Sequence, residues 1–217
     1  MGNTKSKFQT AGSIVSYYWR RPHRLGEVRD WASDRKNTTM ELKFPWWNYQ
    51  AVRAVEGSLP AKARVFEYGG GGSTLWLMNQ GASCTTVEHD EDWYTLLCAE
   101  LPPSCAVLYR PPALTGIVTS ISRPDVFFDE YVRAIDTQPD SSLDLVIVDG
   151  RARVDCGKAA MRKVRPGGML LLDDSDRDRY LPLQAALKDW VRVNYRGLKA
   201  GGGGVVESSI WTKPVER

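Results

Sequence analysis

Acidic residues end several apolar segments of this chain, at positions where α/β proteins commonly hold their ligands. Asp149 ends the run LDLVIVD, and Asp173 with Asp174 ends the run MLLLDD. Carboxylates from two neighbouring strands can hold Mg²⁺, because this ion prefers oxygen ligands. The alternative is that Asp149 orients a cofactor or accepts a proton while Asp173 and Asp174 cap turns. The pattern predicts catalytic groups at these positions and leaves the metal unassigned.

A glycine-rich turn supplies a second set of groups suited to binding. The segment RVFEY is rich in β-forming residues and leads into the four consecutive glycines of residues 69–72. Ser73 and Thr74 follow, where a helix is expected to begin. Because glycine has no Cβ, such a turn lets backbone N–H groups and the positive end of a helix dipole approach a ligand closely. We therefore predict a strand, a turn and a helix that together cradle a nucleotide-type ligand.

The acids around this turn narrow the choice of ligand. Gly69 and Gly71 fill the first two places of the dinucleotide pattern G-x-G-x-x-G, but Thr74 occupies the third. Glu67 lies two places before the first glycine, and an acid suits a cationic sulfonium better than a pyrophosphate. Glu88 stands 19 residues after Gly69, at the end of a second predicted strand, where it can accept the ribose hydroxyls of an adenosine. That distance is compatible with both NAD and S-adenosylmethionine (SAM).

The acid-x-Gly-x-Gly sequence of Glu67, Gly69 and Gly71 resembles motif I of the class I SAM-dependent methyltransferases. The resemblance implies that Glu67 helps to hold the methionine end of SAM, that Glu88 binds the ribose and that His89 borders the adenine. It also implies a Rossmann-like, doubly wound α/β fold, in which a mostly parallel seven-stranded sheet has a reversed terminal strand and helices on both faces. The implied cofactor-binding residues are Glu67, Tyr68, Gly69, Gly70, Gly71, Ser73, Thr74, Glu88, His89 and Asp149.

Residues 143–180 resemble a group of largely uncharacterised methyltransferases that share a VDGR-x-R turn. The aspartates of this segment are similar in position to the metal ligands of the catechol-type O-methyltransferases. The resemblance implies methyl transfer to a small-molecule or glycan acceptor, at oxygen. The implied catalytic residues are Asp149, Asp173 and Asp174, with Mg²⁺ as an additional cofactor if the metal interpretation holds.

Two other functions stay open at this point. Many methyltransferases have an acid or an amide just after the third strand, whereas this chain has Arg110. This difference favours a catalytically degenerate SAM-binding module with a regulatory or scaffolding role. The other alternative is a nicotinamide-dependent oxidoreductase, which is disfavoured by Glu67 and by the missing third glycine.

Hydrophobic spacing predicts further elements around the site. Helices are expected to begin near Asn48, to cover residues 125–135 and, as the last helix, to cover residues 181–197. Residues 198–213 are expected to form an antiparallel pair of strands with a glycine-rich loop.

We expect residues 44–217 to form the methyltransferase domain. The aromatic and arginine side chains of residues 1–43 either cover the active site as a lid or simply cover the core.

Composition limits the partners of the protein. The chain has 217 residues, a length that predicts one domain. Its net charge is +3, and it lacks the basic run of a nucleic-acid-binding protein. Its four cysteines form no C-x-x-C pair, which disfavours a zinc site. No apolar run is long enough to span a bilayer, so we expect a soluble, cytoplasmic protein. MGNTKS fits the N-myristoylation pattern, and modification of Gly2 would make the protein membrane-peripheral; the alternative is a short polar start.

Three arginines follow the predicted catalytic acids along the chain. Arg151, Arg153 and Arg177 are expected at the same rim of the sheet as the acids. They either bind an acidic or phosphorylated acceptor or, for at least one of them, are simply solvated at the surface.

Overall fold

The computed structural model describes residues 7–215, which form a seven-stranded sheet with helices on both faces and a separate hairpin. The strands are β1 (Arg64–Tyr68), β2 (Ser83–Glu88), β3 (Ala106–Tyr109), β4 (Thr119–Ser120), β5 (Arg123–Phe127), β6 (Leu143–Val148), β7 (Val164–Leu172), β8 (Val191–Gly197) and β9 (Val206–Thr212). The hairpin consists of β4 and β5, and the order across the main sheet is β3-β2-β1-β6-β7-β9-β8. Strand β9 runs opposite in direction to the other six strands of this sheet. The predicted Rossmann-like α/β fold with a reversed terminal strand is confirmed.

Nine α-helices accompany the strands within residues 7–215. They are α1 (Lys7–Trp19), α2 (Gly26–Asp34), α3 (Thr39–Leu42), α4 (Tyr49–Ser58), α5 (Gly72–Asn79), α6 (Glu91–Glu100), α7 (Asp129–Arg133), α8 (Arg153–Ala160) and α9 (Leu181–Ala186). The helix predicted to begin near Asn48 is confirmed as α4. The Asn48 side chain caps it, because its Oδ1 accepts a hydrogen bond of 3.0 Å from the backbone N–H of Ala51.

The apolar run of β6 is buried on both faces of the sheet, as a central parallel strand requires. Val146 and Val148 pack into the cluster on one face. Leu145 and Ile147 pack into the cluster on the other face. Because β1, β2, β6 and β7 are parallel, their carboxyl ends lie along one edge of the sheet. The acidic residues that follow these strands are therefore brought together at that edge.

The helix predicted for residues 125–135 is wrong in its first half. Residues 123–127 form β5, which pairs with β4, and α7 begins only at Asp129. Phe127 also exchanges two backbone hydrogen bonds of 2.9 Å with Ala113. Pro124 favours an extended residue before it. Pairing with a neighbouring segment then outweighs the helical spacing of the apolar residues.

The helix predicted for residues 181–197 is also wrong in its second half. Helix α9 ends at Ala186, and β8 begins at Val191. Val191, Val193 and Tyr195 alternate along the chain with the period of two that a strand requires. The predicted terminal antiparallel pair exists as β8 and β9 with a glycine-rich loop between them, but its first strand lies earlier than expected.

The residues before β1 pack onto the sheet domain. The Tyr18 hydroxyl donates to Glu27 Oε2 at 2.7 Å and accepts from the Leu198 N–H at 3.1 Å. Thr39 Oγ1 accepts from the N–H of Gly72 at 3.0 Å and so ties α3 to the start of α5. A domain boundary at residue 43 stays a prediction.

Two sequence predictions concern membranes. None of the helices in residues 7–215 combines the length and apolar composition needed to cross a membrane. The myristoylation pattern, with Gly2 and Ser6, lies outside the described residues.

The contact between α3 and the glycine turn generates a stability prediction. A Cβ added at Gly72 would lie 2.0 Å from the carbonyl oxygen of Thr39 and 2.7 Å from that of Phe44. Both atoms are backbone atoms, so the α3 segment would have to move. We expect Gly72→Ala to destabilise the protein by about 1–3 kcal/mol, with Tm lowered by roughly 2–4 °C per kcal/mol in a thermal melt.

Gly57→Ala is the matched control, because an added Cβ there meets no atom within 4 Å. Alanine is the better helix former, so we expect the Tm of this variant to be unchanged or higher. Equal Tm values for the two variants would contradict the packing of α3 against Gly72.

Candidate functional site

The glycine turn joins the ends of two central strands. Gly69 has a φ of 89°, which favours glycine, and an added Cβ would lie 3.0 Å from the Cα of Gly150. An added Cβ at Gly70 would lie 2.5 Å from Thr86 Oγ1. The turn is therefore packed closely against β2 and against the residues after β6, and larger residues at these positions would push the strand ends apart.

Glu67 lies beneath the turn and is fully buried. Its two carboxylate oxygens accept hydrogen bonds of 2.5 Å each from Ser73 Oγ and Thr74 Oγ1. Thr74 Oγ1 in turn accepts the N–H of Gly71 at 3.0 Å. Burial raises the pKa of Glu67 to about 7, against the opposing effect of the two hydroxyl donors. In this arrangement Glu67 fixes the shape of the turn and the start of α5.

Tyr68 also supports the turn from below. Its side chain is buried, and its hydroxyl donates to the carbonyl oxygen of Val132 at 2.7 Å. Burial raises its pKa well above the ordinary range of a tyrosine. Its backbone carbonyl accepts the N–H of Asp149 at 3.2 Å, so β1 and β6 are held in register up to their last residues.

Glu88 ends β2 at the same edge of the sheet. Its Oε1 accepts the backbone N–H groups of His89 at 2.6 Å and Asp90 at 3.0 Å. The hydrogen bonds formed within residues 7–215 reach only this oxygen, which leaves Oε2 available to a ligand. The Asp90 side chain accepts the N–H of Trp93 at 3.0 Å and caps α6. The carboxylate is therefore oriented by the chain that follows it.

His89 connects Glu88 to the segment after β6. Its Nε2 accepts a hydrogen bond of 3.1 Å from Arg151 Nε. Its Nδ1 lies 2.5 Å from Glu88 Oε1, but the two atoms are not aligned for a hydrogen bond. The ring packs edge-on against Tyr131, with 5.8 Å between ring centroids. The structure thus places His89 between the predicted ribose ligand and a cation.

Asp149, Asp173 and Asp174 meet as expected, but each contacts a cation. Asp149 Oδ1 lies 2.7 Å from Arg153. Asp174 pairs with Arg177. The Lys199 ammonium lies 3.3 Å from Asp173 Oδ2 and 3.5 Å from Asp174 Oδ1. Although burial opposes its charge, the carboxylates raise the pKa of Lys199 above its ordinary value.

This network bears on the predicted metal site. Residues 7–215 contain no group of three or more metal-ligating side chains arranged to hold a metal ion. The Lys199 ammonium supplies positive charge beside both Asp173 and Asp174. Ser208 Oγ further donates to Asp173 Oδ1 at 2.6 Å. The donor set as arranged is that of an ion-pair network, and a Mg²⁺ site stays a prediction.

Asp149 is the acid of the network whose pKa is raised. Burial raises its pKa to about 7, Asp173 and Asp174 add to this effect, and Arg153 and Lys199 oppose it. A carboxyl group with this pKa exchanges a proton near neutral pH. Arg153 also donates to the carbonyl oxygens of Gly150 at 3.0 Å and Asp173 at 2.7 Å, so it holds the ends of β6 and β7 together.

Three residues at the site were not predicted. Lys199 comes from the loop between β8 and β9, and no local pattern marks it. Trp93 donates its indole N–H to the carbonyl oxygen of Gly70 at 2.7 Å. Thr39 reaches the turn from the segment before β1. Each contact is made by an element distant in sequence from its partner, so spacing alone carries no signal for it.

Comparisons with known proteins place the fold. No protein-family model matches the sequence, and no curated protein matches it. The chain is similar to the structure of 1,6-didemethyltoxoflavin-N1-methyltransferase from Burkholderia thailandensis, which contains 1,6-didemethyltoxoflavin and S-adenosylhomocysteine. The identity is 15%, the TM-score is 0.52, and the match covers 99% of this chain and 93% of the other. The fold is thus the Rossmann-like fold found in methyltransferases.

Other solved structures match more loosely. A methyltransferase from Pyrococcus furiosus has 12% identity and a TM-score of 0.48, with 76% of this chain and 82% of the other covered. Spermidine synthase from Thermotoga maritima has 13% identity and a TM-score of 0.49, with 74% of this chain and 57% of the other covered.

The raised pKa of Glu67 generates a pH-dependent stability prediction. Its pKa rises from 4.5 to about 7 on folding, so between these values the folded state binds the proton that the unfolded state has lost. Stability should fall as pH rises through this window and level off above it. Glu67→Gln removes this titration, so its Tm should fall less than that of the wild type between pH 5 and 7.5. The difference between the two falls should correspond to at most about 3 kcal/mol of unfolding free energy.

Asp149 titrates in both proteins, so the difference between them isolates Glu67. Glu130→Gln, at an exposed carboxylate on α7, is the control and should keep the wild-type pH dependence. Parallel Tm curves for Glu67→Gln and the wild type would show that Glu67 is not titrating in this range.

Proposed function

We propose that this protein is a SAM-dependent methyltransferase that acts on a small-molecule or glycan acceptor, at oxygen. The observation that carries the proposal is the meeting of the glycine turn, Glu88 and Asp149 at the carboxyl edge of a sheet with this strand order and a reversed strand. Ligands of open α/β sheets bind at such an edge. The methyltransferase fold of the full chain supports the same conclusion.

The chain offers groups that fit several parts of SAM. The turn formed by Gly69, Gly70 and Gly71 has no Cβ and leads into the N-terminus of α5, although the N–H groups of Gly69 and Gly71 already donate to the Val87 carbonyl and to Thr74 Oγ1. Oε2 of Glu88 would accept the ribose hydroxyls, and His89 would border the adenine. Glu67 acts on the cofactor through the turn that it shapes, because its own carboxylate is occupied by Ser73 and Thr74.

Asp149 is the residue to which we assign proton acceptance. Bound SAM supplies an electrophilic methyl group, and a hydroxyl acceptor must lose its proton as the new bond forms. Arg153 contacts Oδ1 of Asp149, so Oδ2 is the atom assigned to the proton. Asp173 and Asp174 then act as positioning residues, since their contacts with Lys199 hold the cations around Asp149 in place.

A binding module without catalysis is the second candidate. All three aspartates at the edge contact a cation, which reduces their ability to act as bases. Arg110 occupies the position after β3, and its side chain donates to the carbonyl oxygen of Tyr109 at 2.7 Å. These features favour a regulatory SAM-binding protein as the second candidate. The nicotinamide-dependent oxidoreductase is the least supported one, because of Glu67 and the missing third glycine.

The cofactor assignment is tested with S-adenosylhomocysteine (SAH), SAM and NADH in a thermal-shift assay. SAH at about 100 times its Kd should add roughly 2.7 kcal/mol, which raises Tm by roughly 5–10 °C. Glu88→Ala should weaken SAH binding by about 100-fold, because charge-assisted hydrogen bonds to the ribose hydroxyls are lost. Each shift is measured against the ligand-free Tm of the same variant.

Glu100→Ala, at an exposed glutamate at the end of α6, is the control and should bind SAH like the wild type. Unchanged SAH affinity in Glu88→Ala would refute the ribose assignment. A shift with NADH alone would overturn the choice of cofactor.

The role of Asp149 is tested through the pH dependence of methyl transfer. With SAM and a pool of hydroxylated small molecules, SAH release should rise as pH increases through about 7, where Asp149 loses its proton. Asp149→Asn should retain SAH binding but lower the rate by about 100-fold or more, since general-base catalysis is lost.

Asp144→Asn is the matched control, because Asp144 lies near the other end of the same strand and pairs with Arg165. This variant should keep the wild-type pH midpoint. Full activity of Asp149→Asn would rule out Asp149 as the base. SAH binding without turnover in the wild type, across the acceptor pool, would favour the regulatory module.

A further inference from the structure

We propose that the cavity beside Gly150 binds a phosphate group of the acceptor through Arg151 and Arg179. The inference rests on the proposed function only in assigning the phosphate to a methyl acceptor. The anion site itself follows from the shape and charge of the cavity.

The cavity has a volume of about 590 Å³. Its lining comes from the β4–β5 hairpin, from the start of α8 and from residues 177–180. A cavity of this size suits a small molecule rather than a polymer. Gly150 lines it and also abuts Gly69 of the glycine turn, so a ligand in the cavity would lie next to the proposed cofactor site.

Positive charge dominates the walls of the cavity. Four arginines line it, while Asp155 is its single acidic lining residue within residues 7–215. Two of the arginines have carboxylate partners, Arg153 with Asp149 and Arg177 with Asp174. The remaining two, Arg151 and Arg179, form no ion pair within the described part of the chain. These two guanidinium groups are the cations available to a ligand.

Arg151 is held in place without being neutralised. Its Nε donates to His89 Nε2 at 3.1 Å, and its NH1 donates to Ser122 Oγ at 2.9 Å. Neither partner carries a negative charge. A guanidinium carries five N–H donors, so further donors remain for an anion. Because the side chain is already ordered, little additional entropy is lost when a ligand binds.

Arg179 also lines the cavity. Its guanidinium lies over the ring of Tyr180, 5.1 Å from the centroid, which orients it without a counter-charge. Ser120 and Ser122 add hydroxyl groups on the hairpin side. The first turn of α8 also faces the cavity, and its N-cap residue, Ala152, provides no side-chain cap.

A phosphate matches this arrangement better than a carboxylate does. It carries close to two negative charges at neutral pH and three strong acceptor oxygens, which suits a cavity lined by two guanidinium groups without ion-pair partners in the described part of the chain. A carboxylate has one charge and two oxygens. The alternative for Arg179, which is exposed, is simple solvation, and the two interpretations differ in whether its removal changes anion affinity.

Inorganic phosphate is the probe, and acetate at the same ionic strength is the comparison. Calorimetric titration of the purified chain should detect saturable phosphate binding. Arg151→Gln and Arg179→Gln should each weaken it by about tenfold, equivalent to the loss of a charge-assisted contact. Arg123→Gln, at an exposed arginine of β5 that does not line the cavity, should change it by less than about twofold.

Several results would overturn the proposal. These are the absence of phosphate binding, an equal loss in Arg123→Gln and Arg179→Gln, and acetate binding as tight as that of phosphate. Because Arg151 contacts His89, Arg179→Gln is the decisive variant; its SAH affinity is measured alongside as a check of the fold.

Repeating the titration with saturating SAH tests the assignment to the acceptor, since loss of phosphate binding would place the anion in the cofactor site. Phosphate binding without SAH binding would instead refute the methyltransferase proposal and leave the anion site standing.

Discussion

The close approach of two glycines is the constraint on which the rest of the site depends. Gly69 and Gly150 follow adjacent parallel strands, and neither position has room for a side chain. Their contact allows the ends of the paired strands β1 and β6 to approach closely. Glu88 lies on one side, and the aspartates that follow β6 and β7 lie on the other. The proposed cofactor and acceptor sites therefore both adjoin this one backbone contact.

Charge balance organises the second half of the site. Asp149, Asp173 and Asp174 would repel one another if they were left alone in a partly buried cleft. Arg153 and Lys199 offset that repulsion from opposite directions, one from the helix after β6 and the other from the loop before β9. A carboxyl group whose pKa lies near neutrality results from this balance, because burial outweighs the cations at Asp149 but does not remove them.

Local patterns in the sequence predicted the fold and the residues that reach the carboxyl edge of the sheet. The apolar run of β6 and the glycines after β1 are strong signals, because few alternatives satisfy them. The helices predicted for residues 125–135 and 181–197 were partly wrong, because short apolar stretches fit both the helical and the strand period. Strand pairing decided between the two structures. The ion pairs of Lys199 were not predictable, since its partner Asp173 lies 26 residues away and no spacing rule connects them. Similarly, the motif indicated that Glu67 matters, but it did not reveal that Ser73 and Thr74 occupy its carboxylate.

The contact between Thr39 and Gly72 couples substitutions in the segment before β1 to substitutions in the glycine turn. The Thr39 hydroxyl accepts from the Gly72 N–H and donates to the carbonyl oxygen of Phe44. A substitution at either position changes what the other one tolerates, so their effects on stability should not add. The segment before β1 therefore cannot be exchanged freely for one from another protein with the same sheet. Changes in this extension are restricted by the glycine turn that it touches.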